Sequence, residues 1–210
     1  MVDFKLFGIP VRVEPVFWLT LGLIGFLSTN MQSANAILLL ALFVIAGFLS
    51  ILIHEMGHAL MVKHYKQPTQ IVLSSFGGYA THPAGVLDRK QSFLVTAAGP
   101  GLQVLAALAL LFSIPYLNLQ GNLFTLFLFR FIEISIFWAI LNCLPVIPLD
   151  GGRMLESILG PRRRAGLHLT SLITASIIGI YALTEGYIFG MYFMGMFAYQ
   201  NYQAWQEARK

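Results

Sequence analysis

One cysteine, Cys143, stands among 210 residues. A lone thiol excludes an intrachain disulfide and a thiolate metal cluster, and within an apolar segment it reads as a buried side chain. Charge is scarce too: Lys, Arg, Asp and Glu make up 10% of the chain, where a soluble domain carries about 25%. Hydrophobic residues account for 57% and mean hydropathy is +0.74, which excludes a soluble domain of any size and makes this an integral membrane protein. No internal repeat and no low-complexity linker is visible. No small-residue cleavage site follows the first apolar run, and Asp3, Lys5, Arg12 and Glu14 precede it. The N-terminus is therefore not expected to be a secretory signal. The net charge of +4 does not point to nucleic acid, because the basic residues are scattered at the ends of apolar runs.

Six such runs are present, at about residues 15–27, 37–62, 93–114, 123–141, 166–183 and 187–205. A span needs about 20 apolar residues. The first run is short, with residues 28–31 available to extend it, and the last carries Gln200, Asn201 and Gln203 where it leaves the bilayer. The expected fold is all-α and polytopic, with about six transmembrane helices. Between them, the 63–91 connection holds a β-branched start at Ile71-Val72, a Gly77-Gly78 turn signal, and flanking Pro68 and Pro83. A small β element, strand or hairpin, is expected there.

Basic residues set the orientation. Lys5 and Arg12 precede the first run; Lys63, Lys66, Arg89 and Lys90 lie between the second and third; Arg153 and Arg162 to Arg164 lie between the fourth and fifth; Arg209 and Lys210 end the chain. The alternate connections, 28–36, 115–122 and 184–186, contain no Lys or Arg. Both termini are therefore expected on the cytoplasmic side. Arg130 is the exception inside a run, with Glu133 three residues on as its expected ion-pair partner. Arg162 to Arg164 read as a topology determinant that also touches anionic lipid.

Ionisable residues are costly at such depth and usually functional. The second run contains His54-Glu55-Met56-Gly57-His58. Positions four apart share a helix face, so both imidazoles can point at one ion while Glu55, one step round, reaches a water there. This is the zinc-peptidase pattern His-Glu-x-x-His.

A catalytic zinc takes three protein ligands and keeps one position open, so a third is needed. His64 has the spacing of an elongated motif, but Met61 stands where that motif needs a glycine to turn the chain back. Glu133 and Glu156 are the glutamate candidates; Arg130 is a nearer partner for the first, and the second lies past the Gly151-Gly152 turn. Asp150 closes the segment Asn142-Cys143-Leu144-Pro145-Val146-Ile147-Pro148-Leu149-Asp150, whose two prolines break the helix. Broken backbone at membrane depth is tolerated beside protein or a cavity. The second and fourth runs have the same direction. His54 precedes the cytoplasmic Lys63 by nine residues, roughly 13 Å of helix, so Asp150 can meet it at one depth.

His54-Glu55-Met56-Gly57-His58 together with Asn142-x-x-Pro145-x-x-x-x-Asp150-Gly151-Gly152 resembles the site-2 protease family of intramembrane zinc metalloproteases. Ala98-Gly99-Pro100-Gly101 and Phe76-Gly77-Gly78 resemble two further elements of that family, and the likeness covers about residues 45–155. The resemblance implies one Zn2+ on His54, His58 and Asp150, with Glu55 as general base. Asn142 would assist substrate or intermediate binding. It implies a single membrane-embedded domain over 1–210, with a core at about 37–155 and accessory helices at about 15–31, 166–183 and 187–205. Neither a PDZ-like nor a CBS domain is expected. The family's polar residue after Gly-Pro has no obvious counterpart; Gln103 is read first as a packing or interhelical hydrogen-bond residue.

The function expected is cleavage of a transmembrane segment of a single-span membrane protein in the lipid bilayer, as in regulated intramembrane proteolysis. Water activated at the ion attacks the peptide carbonyl as Glu55 takes its proton. The residues at 71–79, with Gly77 and Gly78, could accept an extended substrate as an added strand, or form a plain turn. The compact design points to a prokaryotic cell membrane. No motif specifies client or oligomeric state. Rival readings are a multi-pass zinc transporter, an inactive protease-like scaffold, and a membrane peptidase with a glutamate third ligand. The transporter needs polar ligands stacked across several spans, which the third, fifth and sixth runs lack.

Overall fold

The structure is a computed structural model that describes residues 1–29, 32–75, 77–117 and 122–210. Asn30, Met31, Phe76 and residues 118–121 of the 115–122 connection, each part of an expectation above, lie outside the described residues. The order is β1 (Val2–Leu6), β2 (Ile9–Val13), α1 (Pro15–Ser28), α2 (Ala36–His64), β3 (Gln70–Ser74), β4 (Gly77–Thr81), α3 (Arg89–Ser113), α4 (Leu123–Asn142), α5 (Asp150–Leu159), α6 (Arg164–Thr184) and α7 (Ile188–Glu207). Short 3-10 turns follow α3 and α5. The chain divides into two compact units, Met1–Val86 with Ala98–Ala139, and Leu87–Ala97 with Ile140–Lys210.

In the first unit, the strands form one sheet in the order β1-β2-β3-β4. The expected β element of the 63–91 connection is the antiparallel β3–β4 hairpin, with Val72 opposite Tyr79 and Leu73 opposite Gly78. The β1–β2 hairpin was not expected. Its second strand alternates Ile9, Val11 and Val13 inward, each 1% exposed, and pairs in parallel with β3, Val11 beside Ile71 and Val13 beside Leu73. One face of the sheet is thus apolar and packs on Phe17 and Leu21 of α1 and on Ile51, Leu52, Met56 and Ala59 of α2. Glu14 ties the end of β3 to the start of α1: its backbone N–H donates to Leu73 O at 2.9 Å, and its Oε2 accepts from Ser74 Oγ at 2.5 Å.

Four described helical segments are long and apolar enough to cross a membrane: Ala36–His64, Arg89–Tyr116, Leu123–Asn142 and Pro161–Thr184. Of the six expected, α1 has 14 residues, about 21 Å at 1.5 Å each. The other, α7, carries Gln200, Asn201, Gln203 and Gln206 in its second half. The expected Arg130–Glu133 pair forms in α4, with Nη1 to Oε2 at 2.8 Å.

In the second unit, Val146 packs with Ala175 of α6 and Met194 of α7, flanked by Leu144, Leu149 and Phe197. Arg89 donates to the backbone oxygens of Ser157, at 2.8 Å, and Ile158, which satisfies the open carbonyl end of α5. This short amphipathic helix had no counterpart among the apolar runs. Cys143, expected to be buried, is exposed, because it lies just past α4 where the prolines have broken the helix. Its thiol is pushed up, by partial burial first and then by the Asp150 carboxylate.

Candidate metal centre

α2 brings His54 and His58 onto one face, as the four-residue spacing requires. The rings meet edge to face with centroids 4.8 Å apart, and the two Nε2 atoms are 3.1 Å apart. Two imidazoles at zinc–nitrogen distances of 2.0–2.1 Å with a tetrahedral angle would hold their nitrogens about 3.3 Å apart, so the pair fits a shared zinc. Both rings are buried, at 3% and 8% exposed. Their helix runs unbroken through Met61 to His64, which leaves His64 exposed at the end, ten residues and about 15 Å from His54. There it lines an open apolar groove of about 460 Å³ with Leu60, Met61 and Leu105.

His54 is tied to α3. Its Nδ1 lies 3.0 Å from Gln103 Oε1, while Gln103 Nε2 donates to Ser50 Oγ at 2.7 Å and Ser50 O at 3.3 Å. Ser135 Oγ of α4 donates to Ser50 Oγ at 3.0 Å. Three polar side chains on three apolar helices converge behind one imidazole. Single polar letters in apolar runs are their only trace in the sequence, and Gln103 does form the interhelical hydrogen bond expected of it.

Glycines make room for the centre. A Cβ on Gly99 would sit 2.3 Å from the His58 ring, and one on Gly78 would sit 2.6 Å from Glu55 Cγ. Glu55, 3% exposed, is thus packed against β4, the edge strand that begins Gly77-Gly78. Both glycines fall beside a candidate site residue.

The second unit holds Asn142 and Asp150. Asn142 is the last residue of α4 and Asp150 the first of α5; both are half-buried. The seven residues between fold tightly, with Val146 N–H to Leu144 O and Leu149 N–H to Val146 O both at 2.7 Å. A Cβ on Gly151 would lie 2.2 Å from Cys143 O, so only glycine lets the first turn of α5 sit against this loop. Ile147 is gripped on both sides: its N–H donates to Ser171 Oγ at 3.1 Å and its carbonyl accepts from Asn201 Nδ2 at 2.7 Å. Asn201 Nδ2 also donates to Phe197 O at 2.9 Å, and Asn201 Oδ1 lies 2.9 Å from His168 Nδ1. This anchor, from helices outside the expected core, escaped the sequence reading; the polar Asn201 in an apolar run was its one signal.

The glutamate alternatives are engaged elsewhere or wet. Glu133 pairs with Arg130 and its side chain is 65% exposed, and Glu156 is exposed on α5.

Residues 118–184 match the model of peptidase family M50. A zinc metalloprotease of Methanocaldococcus jannaschii is 29% identical over 175 residues, which cover 83% of this chain and 49% of that protein. Stage IV sporulation protein FB of Bacillus subtilis is 29% identical over 147 residues, 69% of this chain and 46% of that one. The chain spans about half the length of these relatives. Among solved structures, a site-2 protease from Methanocaldococcus jannaschii aligns with a TM-score of 0.60 and 25% identity, over 99% of this chain and 93% of that one.

Proposed function

Because the chain belongs to the site-2 protease family of membrane zinc metalloproteases, we propose that it is a metalloendopeptidase cutting transmembrane segments of single-span proteins in the bilayer. The observation that carries this reading is the buried His54–His58 pair, with Nε2 atoms 3.1 Å apart, next to a buried glutamate. Asp150 is proposed as the third ligand. Two imidazole nitrogens and a carboxylate oxygen, one atom from each residue, make the donor set of a catalytic zinc with one position open. Zinc would supply a Lewis acid and an activated water at neutral pH.

Glu55 acts as the general base that accepts the water's proton and returns it to the leaving amine. Its carboxylate is held beside Gly78, so a peptide lying along the free edge of β4 would present its carbonyls near the base. Added to that edge as a strand, an unwound substrate finds partners for its backbone groups. Asn142 would donate to the substrate carbonyl as charge develops there. Burial of the site strengthens each electrostatic contact and requires a water path from the nearer membrane face, the cytoplasmic side by the distribution of Lys and Arg.

The proposed topology places both termini in the cytoplasm of a prokaryotic cell. There α1 and α7 complete six membrane-embedded segments around one domain over residues 1–210. Co-expression with a panel of single-span membrane proteins tests the activity. Fragments produced by the wild type should vanish with Glu55→Gln; fragments that persist would remove Glu55 from the chemistry. Metal uptake into proteoliposomes without any cleavage would instead favour a transporter.

A further inference from the structure

Gln103 is fully buried, at 0% exposed. A primary amide sealed among apolar helices is costly unless its donors and acceptor are matched. Its orientation follows from its neighbours. Ser50 O is a carbonyl and can only accept, so the amide edge facing it, 3.3 Å away, must be the NH2. The amide oxygen therefore faces His54 Nδ1 at 3.0 Å. An oxygen acceptor there requires that Nδ1 carry the proton. The neutral His54 ring then has its lone pair on Nε2, the atom 3.1 Å from His58 Nε2.

We infer that Gln103, seated by Ser50 and Ser135, is the positioning residue that fixes the tautomer and ring angle of His54 so that Nε2 is the metal-facing donor. Ser135 and Ser50, both 0% exposed, carry the constraint from α4 through α2 to the amide. The inference rests on the zinc reading above. It differs from a packing role in one respect: a packing residue needs volume, whereas this role needs an acceptor aimed at Nδ1.

Three forms of the full chain, purified in detergent, separate these roles: wild type, Gln103→Leu, which keeps bulk and removes the acceptor, and Gln103→Glu, which keeps an acceptor. Two readouts apply, the zinc Kd by chelator competition and the ring 15N shifts of His54 in the metal-free protein. Wild type should show a protonated Nδ1. Gln103→Leu should mix the tautomers and weaken zinc binding by about 10–100-fold, the usual cost of losing the partner of a metal-bound histidine. Gln103→Glu, whose carboxyl still accepts from Nδ1 but lacks the amide donors to Ser50, should keep Nδ1 protonated and hold zinc more tightly than Gln103→Leu. Wild-type zinc affinity in Gln103→Leu, or a bare Nδ1 on wild-type His54, overturns the inference. Should Gln103→Leu not fold, the wild-type and Gln103→Glu 15N shifts still decide. Wild type without zinc affinity would sink the metalloprotease reading, while the tautomer measurement judges Gln103 separately.

Discussion

In the first unit a hydrogen-bond network grips a side chain; in the second it grips the main chain. Gln103, Ser50 and Ser135 meet behind the His54 ring, on a helix whose backbone needs no help. Asn201 and Ser171 clasp the carbonyl and amide of Ile147, in a loop where prolines have removed the helical ladder. The difference follows from what each proposed ligand requires. A histidine on an intact helix has its backbone fixed and needs only its ring and tautomer set. Asp150 begins a helix after a broken segment, so the path of the chain must be fixed before a carboxylate can be aimed.

This contrast gives graded expectations. The largest effect belongs to neither network: Glu55→Gln should lower the cleavage rate by at least about 10²–10⁴, the range for general-base loss, with zinc content unchanged. Asp150→Ala should lower zinc affinity by more than the 10–100-fold or so that a supporting partner costs, as measured by chelator competition. Asn201→Leu should differ in kind from a Gln103 variant. It leaves a half-buried carbonyl without its donor, at up to about 1–3 kcal/mol, so the thermal midpoint should fall along with zinc affinity. An Asn201 variant with unchanged stability would mean that the loop holds its own shape, which would break the contrast. Gly78→Ala should slow cleavage without loss of zinc, because its methyl group would sit 2.6 Å from Glu55 Cγ. The smallest effect is on Cys143. Its raised thiol pKa, due to burial first and Asp150 second, means little thiolate at neutral pH. Maleimide labelling should therefore rise as pH climbs above the usual thiol range. Asp150→Asn should move that profile slightly lower, because a charge that disfavours the thiolate has gone.

The meeting of His54 with His58 was more legible in the sequence than the support beneath it. His54 and His58 were readable because their spacing is a helix period and their residue types are out of place in hydrocarbon. The β3–β4 hairpin was readable from Ile71-Val72 and Gly77-Gly78, local signals all. The β1–β2 hairpin was not, because β2 earns its place by pairing Val11 with Ile71, sixty residues away, and no local pattern encodes that. The anchor on Ile147 was hidden for the same reason: Ser171 and Asn201 are 24 and 54 residues from it. Cys143 was misjudged because composition places it in an apolar run, whereas Pro145 and Pro148 have already ended the helix there.

Zinc content by elemental analysis of the purified protein tests the proposed ligand set most directly. The proposed ligand set predicts one zinc per chain in wild type and Glu55→Gln, and loss of that zinc in both His58→Ala and Asp150→Ala. A full equivalent of tightly held zinc in Asp150→Ala would contradict it.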